Sequence, residues 1–316
     1  MVVNNILGKG NLFYHLLALF TSTIWGTTFI STKILLSNGL PPAEILLFRF
    51  LIAYVSILFI SHKRMLADNV KDEFTFLLAG LCGGSIYFVT ENMALDHTLA
   101  SNVSIIICTA PLLTALLVKI FHKSHKFKSS FVTGSMIALL GVVFVVLNGN
   151  YLLKISPVGD ILTISAALSW AFYSIIVKGL NDKYPPLMVT RKVFFYGIIT
   201  LLPYFIFKPL HVNFEVLSRP VVFYNLIFLG FIASMLCFFI WNIVIKNIGA
   251  VSASNYIYLG PMITMITGYI FIAETVTIVA VTGAILIIFG VYVAEKGFGF
   301  KSVFSLLKKN IGKADS

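Results

Sequence analysis

Trp25-Gly26-Thr27-Thr28-Phe29-Ile30-Ser31-Thr32-Lys33 and Trp170-Ala171-Phe172-Tyr173-Ser174-Ile175-Ile176-Val177-Lys178 are two apolar stretches cut to one pattern. Each has a tryptophan, a small residue next to it, and a lysine eight positions on. Each is followed by a proline pair, Pro41-Pro42 and Pro185-Pro186, and then by an arginine, Arg49 and Arg191. Further along, the offset between matching positions settles at 150. Gly80, Gly84, Asn92, Ala100, Ser104, Pro111 and Thr114 answer to Gly230, Ser234, Asn242, Ala250, Ser254, Pro261 and Thr264. Near the end of each half, Gly134 and Gly141 answer to Gly283 and Gly290. One such pair could be chance; an ordered set along both halves marks a duplicated unit.

The medium in which this unit folds follows from composition. The 316 residues are 59% hydrophobic and 11% charged, whereas a soluble domain is about a quarter charged. Mean hydropathy is +0.96. These values exclude a soluble enzyme, a secreted disulfide scaffold and a disordered chain. Cys82, Cys108 and Cys237 lie inside apolar runs and read as small buried hydrophobes, not as a disulfide or a metal site. The net charge of +11 would suit nucleic acid. Because the basic residues flank apolar segments, the partner is instead a membrane surface. The first apolar run lacks a convincing cleavage site and reads as a first span, not a signal peptide.

A spanning helix needs about 20 mostly apolar residues. The runs predict ten helices near 13–36, 43–61, 74–95, 98–121, 131–148, 158–179, 187–207, 222–245, 250–272 and 276–294. Helices are required because lipid offers no partner to open backbone groups, and the runs are too long for barrel strands. With the N-terminus inside, fourteen loop and tail lysines and arginines face the cytoplasm and three (Lys154, Lys208 and Arg219) face outward. The positive-inside rule then places both termini in the cytoplasm. The expected organisation is a cytoplasmic N-terminus (1–12), a first five-helix repeat (13–148), an outer linker (149–157), a second repeat (158–294) and a basic cytoplasmic tail (295–316). The tail, with Lys301, Phe304, Lys308 and Lys309, is expected to lie on anionic lipid.

Five helices is an odd number, so the second repeat must enter the membrane from the opposite side. Inverted repeats are a recurrent transporter architecture. Here the residues resemble a known family. Trp25-Gly26, Phe29 and Lys33, the prolines leading to Arg49, and Ala100-Ser101-Asn102 leading to Pro111, with their second-half counterparts, look like the bacterial EamA group of the drug/metabolite transporter superfamily. The resemblance covers about 13–295. It implies an all-helical basket of ten spans around a central cavity in the bacterial cytoplasmic membrane, and export of amino acids or similar metabolites. One departure is visible. The family often ends the fourth helix of each repeat on an acidic step. Ala273-Glu274 keeps it, whereas the first half has Lys123-Ser124.

The polar residues inside spans supply the candidate site. Helix three is expected to carry Gly80, Gly84, Tyr87 and Glu91 on one face, and helix eight Gly230, Ser234, Cys237 and Trp241 on the equivalent face. The glycine ends read as packing seams. The candidate cavity residues are Trp25, Thr28, Tyr87, Asn92, Ser104, Trp170, Ser174, Trp241, Asn242 and Tyr258. Glu91 is the acid placed most plainly within a span. It is expected either to pair with Arg49 or Lys33, which lowers the cost of charge in the membrane, or to act as a proton site or a contact for a substrate amine. Pro111 and Pro261 are helix breaks at matching points, each removing a backbone hydrogen bond. Helices five and ten, with their repeating glycines, read as scaffold. His62, His97 and His122 read as solvated turn residues without metal-ligand spacing, so neither metal nor cofactor is expected.

The expectation is therefore a secondary transporter of small metabolites, amino acids first, working by alternating access. No P-loop is present, so a gradient, with protons as a candidate, would drive it. The alternative is uptake or exchange of sugars, nucleotide-sugars or phosphorylated metabolites, which would gather cations such as Lys33, Arg49, Lys178 and Arg191. An integral-membrane enzyme would need a catalytic cluster that the sequence lacks, and a scaffold would need larger loops.

Overall fold

A computed structural model of the chain describes residues 9–60, 66–97, 100–121, 129–147, 156–210, 213–272 and 276–296. Among them every regular element is helical. We number the long helical stretches in chain order: α1 Lys9–Ser37, α2 Pro42–Ile60, α3 70–97, α4 100–121 and α5 Ser129–Leu147. The second half follows with α6 Pro157–Lys183, α7 Pro186–Phe207, α8 Pro220–Ile248, α9 250–272 and α10 Ile278–Lys296. Seven of these, α2, α3, α5, α6, α7, α8 and α10, are long and apolar enough to cross a membrane, and α4 contributes the shorter apolar helix Ile105–Phe121. Rows of exposed apolar side chains, such as Leu51, Val55 and Phe59 on α2 and Met136 and Leu140 on α5, form the lipid-facing surface. The expected basic tail lies outside the described residues.

Turn chemistry sets the α1–α2 corner. Asn38-Gly39-Leu40 closes α1, with Leu40 N–H bonded to Leu35 O at 3.2 Å and Gly39 N–H to Leu36 O at 2.9 Å. Gly39 holds φ +90°, a conformation glycine adopts without a Cβ penalty. Pro42 then opens α2, where its missing N–H is not needed. At the opposite end of the bundle, Asn69 caps α3 by accepting from Asp72 N–H at 2.7 Å. This cap starts α3 four residues before the expected 74. The charged run Lys71-Asp72-Glu73 reads as a loop in sequence yet forms the first helical turn.

Two packing seams join the halves crosswise. In α5 and α10, a Cβ on Gly134 would fall 2.6 Å from Gly290 O, and one on Gly141 would fall 2.6 Å from Gly283 O. The helices therefore run antiparallel at near backbone contact, each glycine meeting the repeat-mate of the other. In the second seam, Gly80 of α3 lies against Tyr196 and Gly197 of α7, and Gly230 of α8 lies against Ile52 and Arg49 of α2. The third helix of each half thus packs on the second helix of the other.

The expected single face on α3 is corrected by a π-helical segment, Leu81–Ile86. Its wider turn shifts the register and splits the stripe. Gly80 and Gly84, joined by Phe88, face α2 and α7, whereas Gly83 meets Tyr173 and Tyr87 meets Trp170, both on α6. A second π segment, Phe228–Leu236, occupies the matching part of α8. Period-counting assumes 3.6 residues per turn and does not register these segments.

Candidate functional site

The chain has three tryptophans, and all three meet at the centre of the bundle. Trp25 of α1 lies 5.5 Å from Trp170 of α6 and 5.0 Å from Trp241 of α8, ring centroid to ring centroid. Phe238 closes the group at 5.5 Å from Trp25, and Tyr87 packs on Trp170 at 5.3 Å. Tilted and edge-to-face contacts of this kind are favourable for aromatic rings. Trp25 Nε1 donates to the carbonyl of Ala233 at 2.9 Å, inside the π segment of α8. Ser169, beside Trp170, donates to the carbonyl of Cys82 at 2.8 Å, inside the π segment of α3. Each π segment is thus gripped by the first helix of the opposite half.

The candidate residues divide by burial. Trp25, Thr28, Tyr87, Glu91 and Asn92 are half-buried. Trp170, Ser174, Trp241, Asn242 and Tyr258 are buried, so in this conformation they are packed and do not line a water-filled space. Thr28 and Ser174 turn their hydroxyls back onto the carbonyls of Trp25 and Trp170, at 2.7 and 2.9 Å. Asn242 accepts from Asn181 at 2.9 Å and donates to Thr190 at 3.0 Å. Its repeat-mate Asn92 has no such burial. Two buried indole N–H groups, Trp170 Nε1 and Trp241 Nε1, have no acceptor among the described residues, a condition that calls for an explanation in a packed interior. The side chains of Ser104 and Lys33 lie outside the described residues.

Arg49 and Glu91 are not joined directly. Arg49 is buried, its Nε donates to Ser234 Oγ, and its guanidinium carbon lies 5.1 Å from the centre of the Phe88 ring. Glu91 Oε1 accepts from Tyr87 Oη at 3.1 Å. No ion pair within 4.0 Å links the two among the described residues. The sequence missed Ser234 as the partner of Arg49 because an isolated serine on a packing stripe carries no sign of it.

The helix breaks surround the prolines. In α4 the α-helix ends at Ile107, turns through Cys108-Thr109 and resumes at Ala110, one residue before Pro111. In α9 a 3-10 turn, Asn255–Tyr258, precedes Leu259 and Pro261.

A second polar cluster, not anticipated from sequence, ties α3 to α6 and α7 at the end of the bundle away from Arg49. Asp72 accepts from Lys183 Nζ and Tyr184 Oη, each at 2.8 Å. Glu73 accepts from Lys192 Nζ, from Tyr196 Oη and, at 2.9 Å, from the backbone N–H of Ala67. Lys192 is 1% exposed, with Phe76 and Tyr196 rings 4.7 and 5.5 Å from its ammonium. Adjacent acids at a helix start form a recognisable pattern, but their partners lie more than 100 residues away. Among the described residues, no group of His, Cys, Asp and Glu could hold a metal ion.

The signature of the EamA-like transporter family matches this chain twice, over 12–147 and 157–295. The chain belongs to the EamA-like transporter family. Membership of this family makes it a multi-pass membrane protein of a transporter family, as its apolar helices require. An uncharacterized transporter of Archaeoglobus fulgidus is 28% identical over 282 residues, covering 88% of this chain and 96% of its own. A "Probable amino-acid metabolite efflux pump" of Salmonella typhimurium is 24% identical over 293 residues, covering 89% of this chain and 94% of its own. A solved crystal structure superposes with a TM-score of 0.74 over 90% of this chain and 98% of that one, at 17% identity, a likeness of fold.

Proposed function

We propose that this EamA-like protein is a secondary transporter that exports small metabolites, amino acids first, by alternating access between two inverted five-helix halves. The observation that carries the proposal is the meeting of Trp25, Trp170 and Trp241 where α1, α6 and α8 converge. Aromatic walls held at the pseudo-two-fold centre can receive a solute from either side when the halves rock. The crosswise glycine seams support the inverted arrangement, because a contact between Gly134 and Gly290 has its mirror in Gly141 and Gly283. Relatives in Salmonella typhimurium and Escherichia coli that carry an amino-acid efflux name support the substrate class.

In this reading the chain crosses the bilayer ten times with both termini cytoplasmic. The half-buried Trp25, Thr28, Tyr87, Glu91 and Asn92 then form the outer approach, and the buried Ser174, Asn242 and Tyr258 belong to the path when the inner side opens. The cluster of Asp72, Glu73, Lys183 and Lys192 closes the cytoplasmic side. A phosphate-binding cavity is less well supported, since Lys178, one of the four cations it would gather, is taken by Asp182 at 2.5 Å. The reading is tested by loading proteoliposomes with labelled amino acids, sugars and sugar phosphates and following their release. Release of amino acids alone is the expected result; release of sugar phosphates instead overturns it.

A further inference from the structure

Arg49 and Glu91 present opposite charges inside the bundle, near enough to attract each other, yet each hydrogen-bonds to a different anchor. Ser234 takes Arg49 Nε, and Tyr87 holds Glu91 Oε1. No other hydrogen bond among the described residues reaches either side chain, so the two terminal nitrogens of Arg49 and Oε2 of Glu91 keep their bonding capacity. Both side chains rest on consecutive residues of one helix, Tyr87 and Phe88, whose rings are 4.9 Å apart. The charges therefore flank a single aromatic step. Trp170, whose buried Nε1 lacks an acceptor among the described residues, packs on the same Tyr87.

Opposite charges in a poorly solvated setting normally collapse into a pair, since unpaired charge is costly there. Two anchored charges with unused donors and acceptors suit a ligand that brings both complements at once. A neutral α-amino acid does so. Its carboxylate accepts from a guanidinium in bidentate fashion, and its ammonium donates to a carboxylate.

We propose that Arg49 and Glu91 together form a receptor for a zwitterion, with the solute carboxylate on Arg49, the ammonium on Glu91, and an apolar side chain against Trp25 and Trp170. This rests on the transport reading above and narrows its substrate class to zwitterions. A lone carboxylate or a lone amine satisfies one charge and leaves the other without a complement, so it binds worse than the compound carrying both.

The test uses the whole protein in nanodiscs, with fluorescence of the three tryptophans as the binding signal. Three probes share one hydrocarbon frame: leucine, 4-methylpentanoate without the amine, and 3-methylbutylamine without the carboxylate. A charge-assisted hydrogen bond predicts about 10- to 100-fold tighter binding of leucine than of either single-charge probe. In Glu91→Gln the advantage of leucine over 4-methylpentanoate collapses while its advantage over the amine persists. In Arg49→Gln the pattern reverses, and Arg49→Lys restores part of the original preference. Each preference is a ratio within one variant, so partial loss of folded protein does not move it. Leucine bound by all variants with unchanged preferences overturns the receptor and leaves amino-acid export standing. Equal binding of the three probes to the unaltered protein also overturns it. Binding of none of them, with efflux of some other solute, overturns the receptor and the amino-acid reading together.

Discussion

Trp25 and Trp170 meet edge to face with ring centroids 5.5 Å apart, and in the sequence each opens the same motif in its own half. The contact joins the two halves, so the proposed rocking of one half against the other would have to work through it. Trp25→Ala is expected to abolish measurable efflux. Trp25→Phe keeps a ring but loses the bond to Ala233 O, a loss of about 1 kcal/mol, and is expected to retain most of it. Efflux from proteoliposomes at matched protein content distinguishes the two.

The α5–α10 seam is predicted to be structural. A Cβ on Gly134 would lie 2.3 Å from the backbone nitrogen of Ala294, and one on Gly290 would lie 2.4 Å from that of Ala138. Backbone on both sides cannot yield, so Gly134→Val and Gly290→Val should each destabilise by about 3 kcal/mol. Thermal unfolding in detergent should show lowered midpoints for both. Whatever folded protein remains should keep the solute preference of the parent.

The cluster at Asp72 and Glu73 is predicted to hold one side of the bundle shut. Lys183 is 61% exposed, so its pair with Asp72 is worth little, and Lys183→Ala should change efflux less than twofold. Lys192 is buried, and Lys192→Met leaves Glu73 without its cation, a cost of about 3 kcal/mol. The double variant Glu73→Gln/Lys192→Met should recover part of that loss. Alkylation of Cys82, in the π segment beyond this cluster, should rise when reagent is supplied from the cytoplasmic side of the Lys192→Met protein. Unchanged labelling would mean that the cluster only stabilises the fold.

Removing one residue from the π segment Leu81–Ile86 should separate register from composition. Deleting Leu81 turns everything beyond it by about 100°, carrying Tyr87 off Trp170 and Phe88 off Phe50 and Arg49. Efflux should be lost although each candidate residue is still present. Glu91→Gln tests a different point. If efflux and its pH dependence survive that change, Glu91 is not the proton site.

Topology is open to a direct check. A cysteine replacing Lys208, between α7 and α8, should react with impermeant reagent outside intact cells, and one replacing Lys71, at the matching corner between α2 and α3, should not. Reaction of both from one side would overturn the inverted arrangement.

The amino-acid order alone determined the helical class, the family and the stretches that become helices, because apolar run length and repeated motifs are local properties that any fold of the chain must obey. It also marked Trp25, Trp170 and Trp241 as candidates, since tryptophans inside spans stand out. Tertiary structure decided which of them touch, that Arg49 donates to Ser234 and shares no hydrogen bond with Glu91, and that Asp72 and Glu73 reach across to Lys183 and Lys192. Those choices depend on two π segments that rotate α3 and α8 out of simple period. They also depend on contacts between residues over 100 positions apart, whose pairing is set by how whole helices pack and not by any neighbourhood in the chain.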